Sequence, residues 1–168
     1  MTGRGSLGKN WIRCTLVFAF VAVLVLIFWP RDLVRTTGIV DGDDISGITV
    51  KAFLGPDPTL EVWSIEDEAL IEGLFAMLEG QSMRREVFSP RGVRYGGGIQ
   101  DPGEPWSVEL HVYQNERHDR TYISIFGART REVVQVHGDS YILYGDGTKL
   151  MVDLLRYAQT VGDRQRVP

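Results

Sequence analysis

The stretch Trp11-Ile12-Arg13-Cys14-Thr15-Leu16-Val17-Phe18-Ala19-Phe20-Val21-Ala22-Val23-Leu24-Val25-Leu26-Ile27-Phe28-Trp29, closed by Pro30, decides how this chain is organised. From Cys14 to Trp29 no residue is charged, and only Thr15 carries a strongly polar side chain. At about 1.5 Å of rise per residue the two tryptophans stand roughly 27 Å apart, close to the thickness of a bilayer's hydrocarbon core. A helix of this kind satisfies its own backbone hydrogen bonds, which is the condition for crossing lipid. Trp11 and Trp29 suit the two interfaces, and Arg13 can extend its guanidinium towards water. The reading is a transmembrane signal-anchor helix over 11–30, preceded by a flank, 1–10, on the cytoplasmic side.

Three rivals for this stretch fail on chemistry. A cleaved signal peptide needs a small-x-small site after its apolar core. Here the core ends in Phe28-Trp29-Pro30-Arg31, and the paired small residues Ala19 and Ala22 lie inside it. A lipoprotein needs its cysteine after the core, whereas the single cysteine, Cys14, stands at its start. The core helix of a soluble protein would show a polar face, and this stretch has none. Arg4, Lys9 and Arg13 on one flank, against Arg31 and Arg35 with Asp32 between them on the other, favour a cytoplasmic N-terminus. The rest of the chain is then expected outside the cytoplasm, at the cell membrane.

The 138 residues from Arg31 onward are enough for one domain with its own core. They hold no cysteine and no Asn-x-Ser/Thr acceptor, which fits a bacterial surface. Fifteen basic and twenty-two acidic residues give them a net charge of −7. So acidic a domain is ill suited to nucleic acid or to lying flat on anionic lipid.

Hydrophobic periodicity then fills in the elements. Arg35 to Val40 and Ile48 to Leu54 read as strands of a hairpin around the turn-rich Asp41–Gly47, and Thr59 to Trp63 reads as a third strand. Ser64-Ile65-Glu66-Asp67 matches a capping box and opens a helix. Its stripe is Leu70, Leu74, Met77 and Leu78, widened by Ile71 and Phe75, and Gly80 stops it. Ser82 to Phe88 reads as a strand, and Ser89 to Pro105 has no periodicity. Four strands follow, over Trp106–Tyr113, Thr121–Phe126, Glu132–His137 and Tyr141–Tyr144. In the first of these, Trp106, Val108, Leu110 and Val112 should face the core, with Ser107, Glu109 and His111 in water. Asp146 caps a last helix, with Leu150, Met151, Leu154, Leu155, Ala158 and Val161 on one side and Gly162 at its end. A polar tail, 163–168, is expected to fray. The fold class is therefore α+β: an N-terminal transmembrane helix, then a domain over 31–162 whose antiparallel sheet carries two amphipathic helices on one face.

Candidate chemistry is thin. Gly138-Asp139-Ser140 resembles the Gly-Asp-Ser of the GDSL esterases, but the 28 residues after Ser140 contain neither histidine nor asparagine. It reads instead as a Gly-Asp hairpin turn. Asp41, Asp43 and Asp44 start like a calcium loop, yet Ile45 and Ala52 occupy positions that need oxygen ligands. His111, His118 and His137 are scattered, without the spacing of a zinc site. Gly96-Gly97-Gly98 completes no dinucleotide fingerprint, and no cofactor is implied. The acids between Asp57 and Glu79 read as a solvated face.

One segment stands out. Ser89 to Pro105 places five glycines and three prolines in seventeen residues, a length compact domains keep for functional loops or disorder. Arg91, Arg94 and Tyr95 lie in it, Arg84 and Arg85 precede it, and Trp106 follows. Arginine and aromatic side chains are good contact material, so these six are the candidate partner-binding residues.

The layout resembles small, uncharacterised membrane-anchored extracytoplasmic domains of Gram-positive bacteria. As in those, a strand runs into a capped helix (Thr59 to Leu78), and a glycine- and proline-rich break, hairpin strands, an aromatic strand (Tyr141–Tyr144) and a closing helix follow. The resemblance supplies no catalytic residue. Its implication is a single-pass protein whose outer domain is a non-catalytic binding module for a protein or envelope component. The alternatives are an envelope hydrolase using Asp101 or Glu104, and an accessory subunit of a membrane complex.

Overall fold

The computed structural model describes residues 5–39, 45–55, 59–86, 105–114, 120–128 and 131–166. The chain divides into two compact units, Met1–Pro30 and Arg31–Pro168.

The first unit is one helix, α1, over Gly5–Phe28. It is long and apolar enough, from Trp11 to Phe28, to cross a membrane. Its large side chains point outward: Phe18 is 77% exposed and Leu26 69%. Thr15 Oγ1 donates to the Trp11 carbonyl at 3.0 Å, so the one strongly polar side chain between Cys14 and Phe28 is satisfied within the helix.

The second unit is α+β. Its elements, in order, are β1 (Arg31–Asp32), α2 (Leu33–Thr37), β2 (Ile45–Leu54), β3 (Thr59–Ile65), α3 (Glu68–Leu78), β4 (Ser82–Arg85), β5 (Pro105–Gln114), β6 (Arg120–Ala128), β7 (Arg131–Val136), β8 (Asp139–Leu143), α4 (Gly147–Val161) and β9 (Asp163–Gln165). The strands form one sheet in the order β1-β4-β8-β7-β6-β5-β2-β3-β9, with every neighbouring pair antiparallel. β5 to β8 form a meander, as their short connections require.

Alternate residues of the strands enter one hydrophobic cluster, including Ile48, Val50 and Ala52 of β2, Val108, Leu110 and Val112 of β5, and Ile123 and Ile125 of β6. Ile71, Leu74, Phe75 and Leu78 of α3 and Leu150, Met151, Leu154, Leu155 and Ala158 of α4 close the same cluster. The α3 stripe is therefore centred on Ile71, with Leu70 and Met77 at its margin. Where α3 meets α4, Tyr157 donates its hydroxyl to the Leu70 carbonyl at 2.8 Å. A Cβ on Gly73 would strike that hydroxyl, so a glycine lets the ring approach.

Several expectations are corrected. The segment from Arg35 does not form a strand or pair with β2; residues 33–37 form α2 instead. Asp32 caps it, accepting from the Arg35 N–H at 3.0 Å, and Gly38 closes it at φ 72°. The threonine hydroxyls that read as β-prone bond back to carbonyls, Thr36 to Asp32 and Thr37 to Val34. Ser64 does not cap α3, because Ser64 and Ile65 stay in β3 opposite Thr49 and Ile48. The cap is Asp67, which accepts from the Leu70 N–H at 3.1 Å.

The tail expected to fray adds β9 at the sheet edge, pairing Asp163, Arg164 and Gln165 with β3. Arg164 meets Glu61 at 3.0 Å, and Glu61 also accepts from Gln159 of α4. The β7–β8 turn is His137-Gly138 rather than Gly138-Asp139. Both residues have positive φ (51° and 83°), and Asp139 already pairs with Val136. The Asp41–Asp44 turn and the greater part of the 89–105 segment lie outside the described residues.

Candidate functional site

Arg84 and Arg85 are neighbours on β4, so their side chains leave opposite faces of the sheet. Arg85 pairs with Asp139 of β8 at 2.8 Å, with both groups about half exposed. Trp106 is on β5, which β8, β7 and β6 separate from β4. At about 4.8 Å per strand, the two ends of the predicted cluster are roughly 19 Å apart. The sheet therefore does not bring these described members together. Arg91, Arg94 and Tyr95 lie outside the described residues, as do Asp101 and Glu104.

Trp106 sits at an irregularity between β2 and β5. Phe53 pairs with Ser107 and Leu54 with Pro105, which leaves Trp106 as the extra residue. Its ring centroid is 5.2 Å from that of Phe53. It is half-buried and outside the central hydrophobic cluster, which corrects its expected core position. The same shift goes with a second departure: Ser107, expected in water, is fully buried, and its hydroxyl finds no partner among the described residues.

The residues that alternate with the core positions form a second surface in register. Thr49, Lys51 and Phe53 of β2 lie opposite His111, Glu109 and Ser107 of β5, which in turn lie opposite Tyr122, Ser124 and Phe126 of β6. In the middle, His111 Nε2 is 3.3 Å from Glu109 Oε2, and the His111 ring meets Tyr122 edge to face at 4.6 Å. Tyr122 is 45% exposed. Val133 and Val62 are buried without belonging to the central cluster, so this surface has small apolar contacts of its own.

This arrangement hydrogen-bonds and stacks, but it does not assemble a nucleophile. Ser107, Glu109 and His111 share one side of one strand, yet four residues of strand put about 13 Å between the serine and histidine backbones. The serine proton cannot reach the imidazole across that gap. The Gly-Asp-Ser sequence fares no better. His137 Nε2 is 2.9 Å from the Thr37 carbonyl, and Ser140 Oγ accepts from Gln135 Nε2 at 3.3 Å. Among the described residues no three His, Cys, Asp or Glu side chains converge as metal ligands. Asp153, bonded to Lys149 at 2.7 Å, holds that ammonium's pKa above its ordinary value.

The Glu109–His111–Tyr122 group is not among the residues the sequence singles out for binding, because His111 reads there only as one of three scattered histidines. The available signal was opposite charge character at two-residue spacing on a strand, where both side chains share a face. Comparison of the chain with family models, with curated proteins and with solved structures finds no match in any of the three.

Proposed function

We propose that this chain is a single-pass membrane protein held by α1, with a cytoplasmic N-terminus, and that its second unit is an extracytoplasmic, non-catalytic interaction module. One observation carries the reading. α1 keeps Trp11, Phe18 and Leu26 exposed, as is Trp29 just beyond it, while the second unit packs its apolar side chains into a core of its own. Side chains so apolar and so exposed are stable against lipid and costly against water.

The module reading takes α3 and α4 to share one face of the sheet. The single cluster that both enter supports this. The opposite face, with Lys51, Phe53, Trp106, Glu109, His111 and Tyr122, is then the surface that meets a protein or envelope partner. Aromatic rings beside hydrogen-bonding groups are the usual anchors of such contacts.

Protease added to intact cells tests the topology. It should digest residues 31–168 and spare a tag placed before Met1; digestion of the tag alone contradicts the reading. A photo-crosslinking residue at Tyr122 should capture a partner that the same residue at Gln159 on α4 does not. Equal capture at both positions contradicts the assignment of the face.

A further inference from the structure

We propose that Arg31 and Arg35 bind the phosphate groups of anionic phospholipid in the leaflet where α1 ends. The proposal rests on the reading of α1 as a membrane span. α1 closes at Phe28 and β1 opens at Arg31. Three Cα–Cα steps cover at most about 11 Å, so Arg31 stays within reach of the headgroup layer at any bend of Trp29-Pro30.

Both arginines are exposed, and neither makes an ion pair among the described residues. They are also held in place. Arg31 pairs with Met83 in the sheet, and the next residue, Asp32, spends its carboxylate on the Arg35 N–H. Between them Leu33 is fully buried, with its N–H on the Gln81 carbonyl at 2.9 Å. Beyond them the Thr37 carbonyl meets His137. The backbone that carries the two guanidiniums is already ordered, and each guanidinium can grip a phosphate with two parallel hydrogen bonds. The unit's net charge of −7 disfavours contact of its acidic surface with anionic lipid, and Arg31 and Arg35 are the basic residues that follow α1 first in the chain.

The test uses the full chain in lipid nanodiscs, one set zwitterionic and one containing phosphatidylglycerol, with amide hydrogen exchange read over residues 31–39. Anionic lipid should slow exchange in this stretch roughly thirtyfold, the equivalent of two juxtamembrane charge contacts. High salt should remove the effect. The double variant R31Q/R35Q should exchange in anionic discs as the parent does in zwitterionic ones. Its unchanged exchange in α3 and α4 would show that the fold is intact. Equal rates in the two lipids, or a variant that keeps the protection, would overturn the proposal alone. A chain that fails to enter the discs would overturn the span and this proposal with it. Protection by free phosphate without anionic lipid would assign the arginines to a soluble ligand and contradict the lipid source.

Discussion

The two units use the same kinds of side chain in opposite ways. In α1, Val, Leu, Ile and Phe cover the whole circumference and stay exposed, with Phe18 at 77%. In the second unit those residue types occur every second position on strands and every third or fourth on helices, and Leu110 and Ile125 are fully buried. The difference is one of pattern. An apolar stripe finds its partner inside the fold, whereas an apolar cylinder must find it in the surroundings. The comparison also separates two kinds of stability, one belonging to the folded unit and one that, on the proposed reading, the bilayer supplies.

The largest expected effect sets one leucine in each unit against the other. Leu154→Ala, at a fully buried site, should cost about 2–5 kcal/mol in chemical unfolding of residues 31–168. Leu26→Ala, in α1, should leave that transition within about 0.5 kcal/mol. A similar loss from both would mean that α1 is part of the same core. Next comes the closest approach between α3 and α4. Gly73→Ala places a methyl against Tyr157 and should cost about 1–3 kcal/mol. Adding Tyr157→Phe should recover part of this, because the hydroxyl is the group in the way; no recovery would contradict the packing described. A smaller effect is expected at a helix end. Asp146→Ala removes the oxygen that accepts from the Lys149 N–H at 2.8 Å and should lower stability by about 1 kcal/mol. Asp146→Asn should cost less, since the amide oxygen can still cap.

How far the fold was legible follows from where each signal resides. α1, α4 and the strands β2, β5 and β8 came through because periodicity and caps agree there: Asp146 opens α4, and Gly162 follows its last residue. Arg35–Val40 reads as a strand because its threonines favour strands in isolation, yet Asp32, three residues before Arg35, supplies a cap and Gly38 a stop. Ser64 reads as a cap because a capping pattern is local. The pairing of Ser64 and Ile65 with β2 is a contact between distant residues, and it prevails. β9 could not be seen at all, since three exposed polar residues become a strand only because β3 offers an edge.

The candidate site was less legible than the fold. The sequence placed Arg84, Arg85 and Trp106 near one another along the chain, but strand order set them apart. Glu109, His111 and Tyr122 come together across two neighbouring strands, which no single stretch of sequence displays. Residue spacing reports faces and periods; it does not report which strands are neighbours.

The central claim is that α1 is the span that anchors a self-sufficient folded unit to the membrane. Fractionation of cells producing the full chain or residues 31–168 alone, with an alkaline carbonate wash of the membranes, tests it most directly. The full chain should stay in the washed membranes, and the shortened one should be soluble and unfold in a single cooperative transition. A full chain released by the wash, or a shortened chain retained by the membranes, would contradict the claim.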